Sequence, residues 1–182
     1  MASKREKEIL HRGKYLQLCR SDRWEWVERV GCSGVVILLP LTEAGEVVLI
    51  DQYRMPVQKR VVEFPAGLVG DLDAAEESLE TAAQRELIEE TGYRAARLIR
   101  VGGGPPSAGM SPESVDIFVA TGLTKVGEGG GDATEDIAVS LVPRNEVDVW
   151  LEKKAAEGCL IDPKVYAGLY WLDKFARSSA SK

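Results

Sequence analysis

Residues 85–93 read Arg85-Glu86-Leu87-Ile88-Glu89-Glu90-Thr91-Gly92-Tyr93, and what this stretch forms decides the rest of the chain. Upstream, Leu79, Ala83 and Leu87 recur every four residues with Ala82 and Ile88 beside them. That spacing predicts an amphipathic helix from about Glu76 to Thr91. Gly92 stands where a C-cap glycine belongs, because the left-handed cap conformation penalises any Cβ. Residues three and four apart share a helix face, so Glu86, Glu89 and Glu90 crowd together near the C-terminal end. Glu86 and Glu90 repel as an i,i+4 pair, and the negative end of the helix dipole adds to the cost. A hard divalent cation makes such an oxygen cluster favourable, and beside phosphates the usual ion is Mg²⁺, with Mn²⁺ as a substitute. Arg85 is spaced to pair with Glu89 and orient it. A Glu-Glu pair alone is more often a solvated acidic face, so the flanking sequence has to choose.

Composition narrows the choice. The 182 residues are 45% hydrophobic and 29% charged, as in a globular domain, and the net charge of −6 disfavours a generic binder of nucleic acid or anionic membrane. A polyphosphate ligand then requires local arginines or a metal. Cys19, Cys32 and Cys159 are isolated and odd in number, which argues against a disulfide framework or thiolate metal site and suits a reducing cytosol. No apolar run reaches membrane-spanning length, and Met1–Glu8 is too charged for a secretory signal. The single histidine, His11, leaves acid–base chemistry to carboxylates.

Residues 14–20 and 24–30 read as a strand pair around the turn Ser21-Asp22-Arg23. The apolar run 34–41 suits a buried central strand, followed by strands at Val47–Gln52 and Arg60–Phe64. Leu68–Ala75 reads as a loop. After the helix, Ala96–Gly102 and Val115–Thr121 are strands flanking the loop Gly103–Glu113. Gly127-Glu128-Gly129-Gly130-Gly131 reads as a flexible loop. Ile137–Val142 is a strand, helices cover Arg144–Glu157 and Pro163–Ala176, and 177–182 is a frayed tail. Strands mixed with few helices, without regular alternation, indicate α+β layers.

The flanks of the helix resemble the Nudix hydrolases, whose box runs Gly, five residues, Glu, seven residues, Arg-Glu, an aliphatic, any residue, Glu-Glu, any residue, Gly, a hydrophobic. Glu77, seven intervening residues and Arg85–Tyr93 fit it in register. The glycine does not: the expected position holds Asp71, and Gly67 precedes Glu77 by nine intervening residues, which reads as a four-residue insertion in a tolerant loop. The resemblance implies an α/β/α sandwich with a mixed sheet, preceded by an N-terminal antiparallel strand segment. It divides one domain into a strand segment at 1–45, a Nudix core at 46–176 and the tail. It implies metal ligands Glu86, Glu90 and the Ala66 carbonyl, with Arg85 and Glu89 as catalytic helpers.

Asp51-Gln52-Tyr53-Arg54-Met55-Pro56, Glu63-Phe64-Pro65-Ala66-Gly67 and Pro106–Glu113 are similar to the ADP-ribose pyrophosphatase branch. That likeness implies a homodimer exchanging the segment Lys14–Val30, with Tyr15 and Trp24 stacking on adenine and Glu25 binding the base edge. It implies phosphate contacts from Arg54 and Arg29, a substrate contact from Glu113, and a water-activating Glu135, with Asp132 and Asp136 as alternates. Trp24, Trp26 and the arginines also suit plain strand packing or surface charge. The implied reaction cleaves ADP-ribose to AMP and ribose 5-phosphate. The alternatives are another nucleoside diphosphate sugar such as GDP-mannose, a dinucleotide polyphosphate, or a binding regulator that has lost turnover.

Overall fold

A computed structural model describes residues 6–70, 77–131 and 135–179. Three strands, β1 (Glu8–Arg12), β2 (Leu16–Ser21) and β3 (Trp24–Arg29), form a separate antiparallel sheet at the N-terminal end. The strand pair is therefore present, and β1 adds to it. Glu8-Ile9-Leu10-His11-Arg12 is exposed throughout and carries no alternation that would have marked it as a strand.

Two four-stranded sheets follow. One has the order β7-β4-β9-β8, built from β4 (Gly34–Pro40), β7 (Ala66–Val69), β8 (Tyr93–Gly104) and β9 (Val115–Lys125). The other, β10-β5-β6-β11, joins β5 (Glu46–Arg54), β6 (Lys59–Glu63), β10 (Ile137–Pro143) and β11 (Leu160–Ile161). The pairs β4–β9 and β6–β11 are parallel and the rest antiparallel, so the strands are mixed as expected, but divided between two sheets.

The apolar run at β4 is continuous because both its faces are covered. Val36 and Leu38 pack with Phe118 and Ala120 of β9 against Ala82, Ala83 and Leu87 of α1 (Leu79–Thr91). Val35, Ile37 and Leu39 point the other way, toward Val47, Leu49 and Val62. That second core also takes in Val147 and Leu151 of α2 (Val147–Ala156) and Val165, Leu169 and Leu172 of α3 (Pro163–Ser179). Alternate side chains of one strand thus serve two cores, a period-2 pattern that composition hides when every position is apolar.

Element ends differ from the sequence reading for local reasons. Leu68 and Val69 are not loop: β7 pairs with β4 from Gly34↔Val69 to Ile37↔Ala66. Residues 71–76 of the lengthened loop, Asp71 among them, lie outside the described residues. α1 starts at Leu79 because the Ser78 hydroxyl accepts the Thr81 N–H at 3.1 Å, a side-chain N-cap. Gly92 closes it at φ 71°, its N–H donating to the Ile88 carbonyl at 2.8 Å, as the C-cap reading required. The helix expected from Arg144 opens with a 3-10 turn, Arg144–Glu146, before α2, and α3 runs on to Ser179. No helix among the described residues is long and apolar enough to cross a membrane.

Candidate functional site

The three glutamates of α1 are graded in burial: Glu89 is exposed, Glu86 half-buried, and Glu90 only 2% exposed. Glu90 points inward, where its Oε2 accepts the Ala66 N–H at 2.9 Å. Burial is the largest influence on this carboxyl and pushes it up to about 8, with Glu86 and Glu135 adding to the effect and the Ala66 N–H and Arg54 opposing it. Glu90 is thus an oxygen donor held out of water within electrostatic reach of Glu86 and Glu135.

Arg85 is the hub that keeps the rest of the cluster in place. Its Nε donates to Glu77 Oε1 at 3.0 Å, one terminal nitrogen donates to Glu86 Oε1 at 2.7 Å and Glu89 Oε2 at 3.2 Å, and the other donates to the Leu68 carbonyl at 2.9 Å. The expected i,i+4 pair with Glu89 is present but is the longest of these contacts. Hydrogen bonds from Arg85, then the Gly70 N–H at 3.0 Å, hold the Glu77 carboxyl below its ordinary range against the effect of burial. The box glutamate therefore ties Arg85 to the main chain at Gly70.

Gly67 meets the helix where no side chain fits. A Cβ there would lie 1.8 Å from Cδ of Glu86. This is the glycine that the spacing argument assigned in place of Asp71, and close approach to Glu86 is the physical reason for it. Gly67→Ala is expected to displace Glu86 without unfolding the chain. On the reading of Glu86 as a metal ligand, activity titrated with a divalent cation should show the half-saturating level raised roughly 10- to 100-fold, the scale of effect found when a group orienting a metal ligand is lost.

A cleft of about 610 Å³ brings together Ala66, Gly67, Arg85, Glu86 and Glu89. Arg29, Arg54, Glu113 and Glu135 line the same cleft. Arg54 pairs with Glu63 at 2.8 Å and Arg29 with Glu113 at 2.5 Å. A guanidinium has five N–H donors, so each arginine keeps donors for a phosphate while its carboxylate holds it in place. All donors on the glutamate side are oxygens, a set that suits a hard cation. Among the described residues no three His, Cys, Asp or Glu side chains converge closely enough to enclose an ion, so Glu86 and Glu90 would hold one together with main-chain oxygen and water.

Some expected contributors stand elsewhere. Trp24 and Glu25 line a separate pocket of about 340 Å³ with Trp26 and Pro112, and Trp24 is 56% exposed. Tyr15 is 68% exposed, with the Lys14 ammonium over its ring at 4.7 Å. Asp132 lies outside the described residues. Asp136 is ion-paired with Arg60 at 2.7 Å and does not line the cleft.

The glycine-rich segment is docked, which corrects the expectation of a flexible loop. The Gly130 and Gly131 N–H groups donate to the Glu90 and Glu89 carbonyls at 2.8 and 3.0 Å, and Val126 and Gly127 donate to the Gly92 carbonyl at 2.8 and 3.1 Å. These donors satisfy the last carbonyls of α1, which a helix end leaves unpaired. The glycines allow backbone to lie on backbone.

Sequence reasoning missed Lys164 and Glu63, both on the cleft wall. Asp162-Pro163 is a helix-start signal, which places Lys164 in the first turn, where a cation opposes the helix dipole. Asp162 compensates, accepting the Lys164 main-chain N–H at 2.7 Å and pairing with its ammonium.

Residues 32–162 match the NUDIX domain model. The chain belongs to the Nudix family. Among relatives, an ADP-ribose pyrophosphatase of Bacillus subtilis is 38% identical over 101 residues, which cover 56% of this chain and 52% of that protein. The match thus spans about half of that relative's length. An ADP-ribose pyrophosphatase of Escherichia coli O6:H1 is 31% identical over 169 residues, 86% of this chain and 74% of that protein. A crystal structure of an ADP compounds hydrolase shares the Nudix fold, with a TM-score of 0.73 at 19% identity, covering 96% of this chain and 93% of that one. The α+β architecture with a preceding antiparallel sheet and the hydrolase-family resemblance both hold.

Proposed function

We propose that this Nudix chain hydrolyses the diphosphate bond of ADP-ribose or a related nucleoside diphosphate sugar, releasing AMP and ribose 5-phosphate from ADP-ribose. The observation that carries the reading is the cleft that brings Glu86 together with Arg29, Arg54 and Glu135, with the buried Glu90 one helical turn from Glu86. Relatives with ADP-ribose pyrophosphatase activity in their names support the substrate class.

Glu86, Glu90 and the Ala66 carbonyl would hold Mg²⁺ or Mn²⁺, which supplies charge neutralisation for the diphosphate and lowers the cost of deprotonating water. Arg85 keeps Glu86 and Glu89 oriented. Arg54 and Arg29 hold phosphate oxygens while Glu63 and Glu113 fix their positions. Glu135 takes the proton from the attacking water.

Tyr15, Trp24 and Glu25 belong to the same reading through a homodimer that exchanges N-terminal strands, with a second copy's aromatics meeting the base. Ile9, Leu10, Leu16 and Trp24, all exposed on the small sheet, support such an association. Stacking is worth about 1–3 kcal/mol per base. Trp24→Ala is therefore expected to raise KM for ADP-ribose roughly tenfold to a hundredfold with kcat preserved; an unchanged KM removes Trp24 from the base site.

The test of substrate class is kcat/KM over a panel of ADP-ribose, other ADP-sugars, GDP-mannose and dinucleotide polyphosphates. The expected result is preference for ADP-ribose. Preference for GDP-mannose transfers the same chemistry to a different base, and binding without turnover replaces hydrolysis by a regulatory role.

A further inference from the structure

Away from the glutamate cluster, a buried carboxylate stands at Asp51, which is 3% exposed on β5. Arg60 of β6 donates from Nε to its carboxylate and from a terminal nitrogen to its carbonyl at 2.7 Å, while the Lys154 ammonium reaches the other carboxylate oxygen at 2.8 Å. Burial raises the Asp51 carboxyl, but Lys154 and Arg60 outweigh it and hold it below its ordinary range. Two cations serve one buried carboxylate, so Asp51 alone does not account for Arg60.

The same guanidinium reaches further. Its other terminal nitrogen donates to Asp136 Oδ2 at 2.7 Å, and the nitrogen bound to the Asp51 carbonyl also donates to the Asp136 carbonyl at 3.2 Å. The Asp136 side chain is 78% exposed, and a surface ion pair contributes little to stability. Two contacts to one residue do, however, fix the main chain there. Asp136 enters β10, whose first pair is Ile137↔Gln52, and it directly follows Glu135. On the other side of Glu135, the Gly131 N–H is bound to the Glu89 carbonyl on α1. A Cβ on Gly131 would lie 2.3 Å from Glu135 Oε2, so the Glu135 carboxylate lies over that anchor.

We propose that Arg60 is a positioning residue that fixes the main chain at Asp136 and so sets the reach of Glu135 into the cleft. The inference rests on the reading of Glu135 as the group that activates water. Arg60 is not among the residues that line the cleft. Its effect passes through Glu135, and that makes it separable from a plain structural role.

The experiment is a double-mutant cycle with Arg60→Met, Glu135→Gln and the pair, assayed on ADP-ribose with Mg²⁺ well below each variant's Tm. Misplacing a reacting group by about 1 Å costs up to roughly 100-fold, so Arg60→Met is expected to lower kcat about 10- to 100-fold with KM within about twofold. In the Glu135→Gln background the same change is expected to cost no more than about twofold. Arg60→Lys should recover part of the loss, since an ammonium reaches one carboxylate but cannot span both residues. Should Arg60→Met fail to fold, Asp136→Ala removes the exposed arm of the clamp, and a kcat loss that vanishes in Glu135→Gln is expected again. Equal losses in both backgrounds, or wild-type kcat in an active enzyme, overturn the clamp alone. A wild-type chain inactive on every nucleoside diphosphate sugar overturns the hydrolase reading and the clamp with it.

Discussion

Glu90→Gln is expected to lower turnover on the order of 10³-fold, because on the proposed reading it removes a metal ligand, and that forfeits several kcal/mol of transition-state stabilisation at about 1.4 kcal/mol per decade. The fold is expected to survive, for a reason specific to this side chain. The metal-free Glu90 carboxyl titrates at about 8 against an ordinary 4.5, chiefly because it is buried. Between those values the folded protein keeps a proton that the unfolded chain has released, so stability falls as pH rises through the window. Glutamine resembles the protonated acid and has no proton to lose. With chelator present, the variant should match wild type at the acid end of the window and melt higher above pH 8. A divalent cation reverses the comparison by neutralising the carboxylate, raising the wild-type Tm at alkaline pH while leaving the variant's unchanged. Thermal melts with Mg²⁺ and with chelator read both effects. Wild-type turnover in the variant removes Glu90 from the metal site.

Glu135→Gln is expected to give the second large effect. A general base contributes about 10²- to 10⁴-fold, so kcat should fall within that range. KM for ADP-ribose and the Mg²⁺-induced rise in Tm are both expected to persist, since Glu135 is assigned neither to substrate nor to metal binding. The combination separates it from Glu90, whose loss removes turnover and the metal response together. If Glu135→Gln also abolishes the Tm response, Glu135 is a ligand and the base lies elsewhere.

Much of the site was legible because its parts lie close in sequence. Helix periodicity placed Glu86, Glu89 and Glu90 on α1, and the Gly92 cap ended it where the chain turns. Periodicity could not rank their burial, which depends on where β7 meets the helix, the Ala66 N–H lying on Glu90. Gly67 was recoverable from motif spacing, but its reason, the approach to Glu86, is a contact between separate elements. Lys164 and Arg60 were not legible at all. Each acts through partners brought near by strand pairing or a helix start, and an isolated cation in sequence looks like a surface charge. The glycine-rich segment failed differently: composition reports conformational freedom, while the observed use is close docking on the carbonyls of α1. Trp24 and Glu25 stand on β3, within the strand read at 24–30, yet one chain places them in a pocket apart from the cleft.

The most direct test of the central claim is release of AMP from ADP-ribose by the purified chain, followed as Mg²⁺ is titrated from zero in chelated buffer. The expected result is no release without the cation, saturable release with it, and stoichiometric ribose 5-phosphate. Release that is independent of divalent cation, or none at any concentration, contradicts the account.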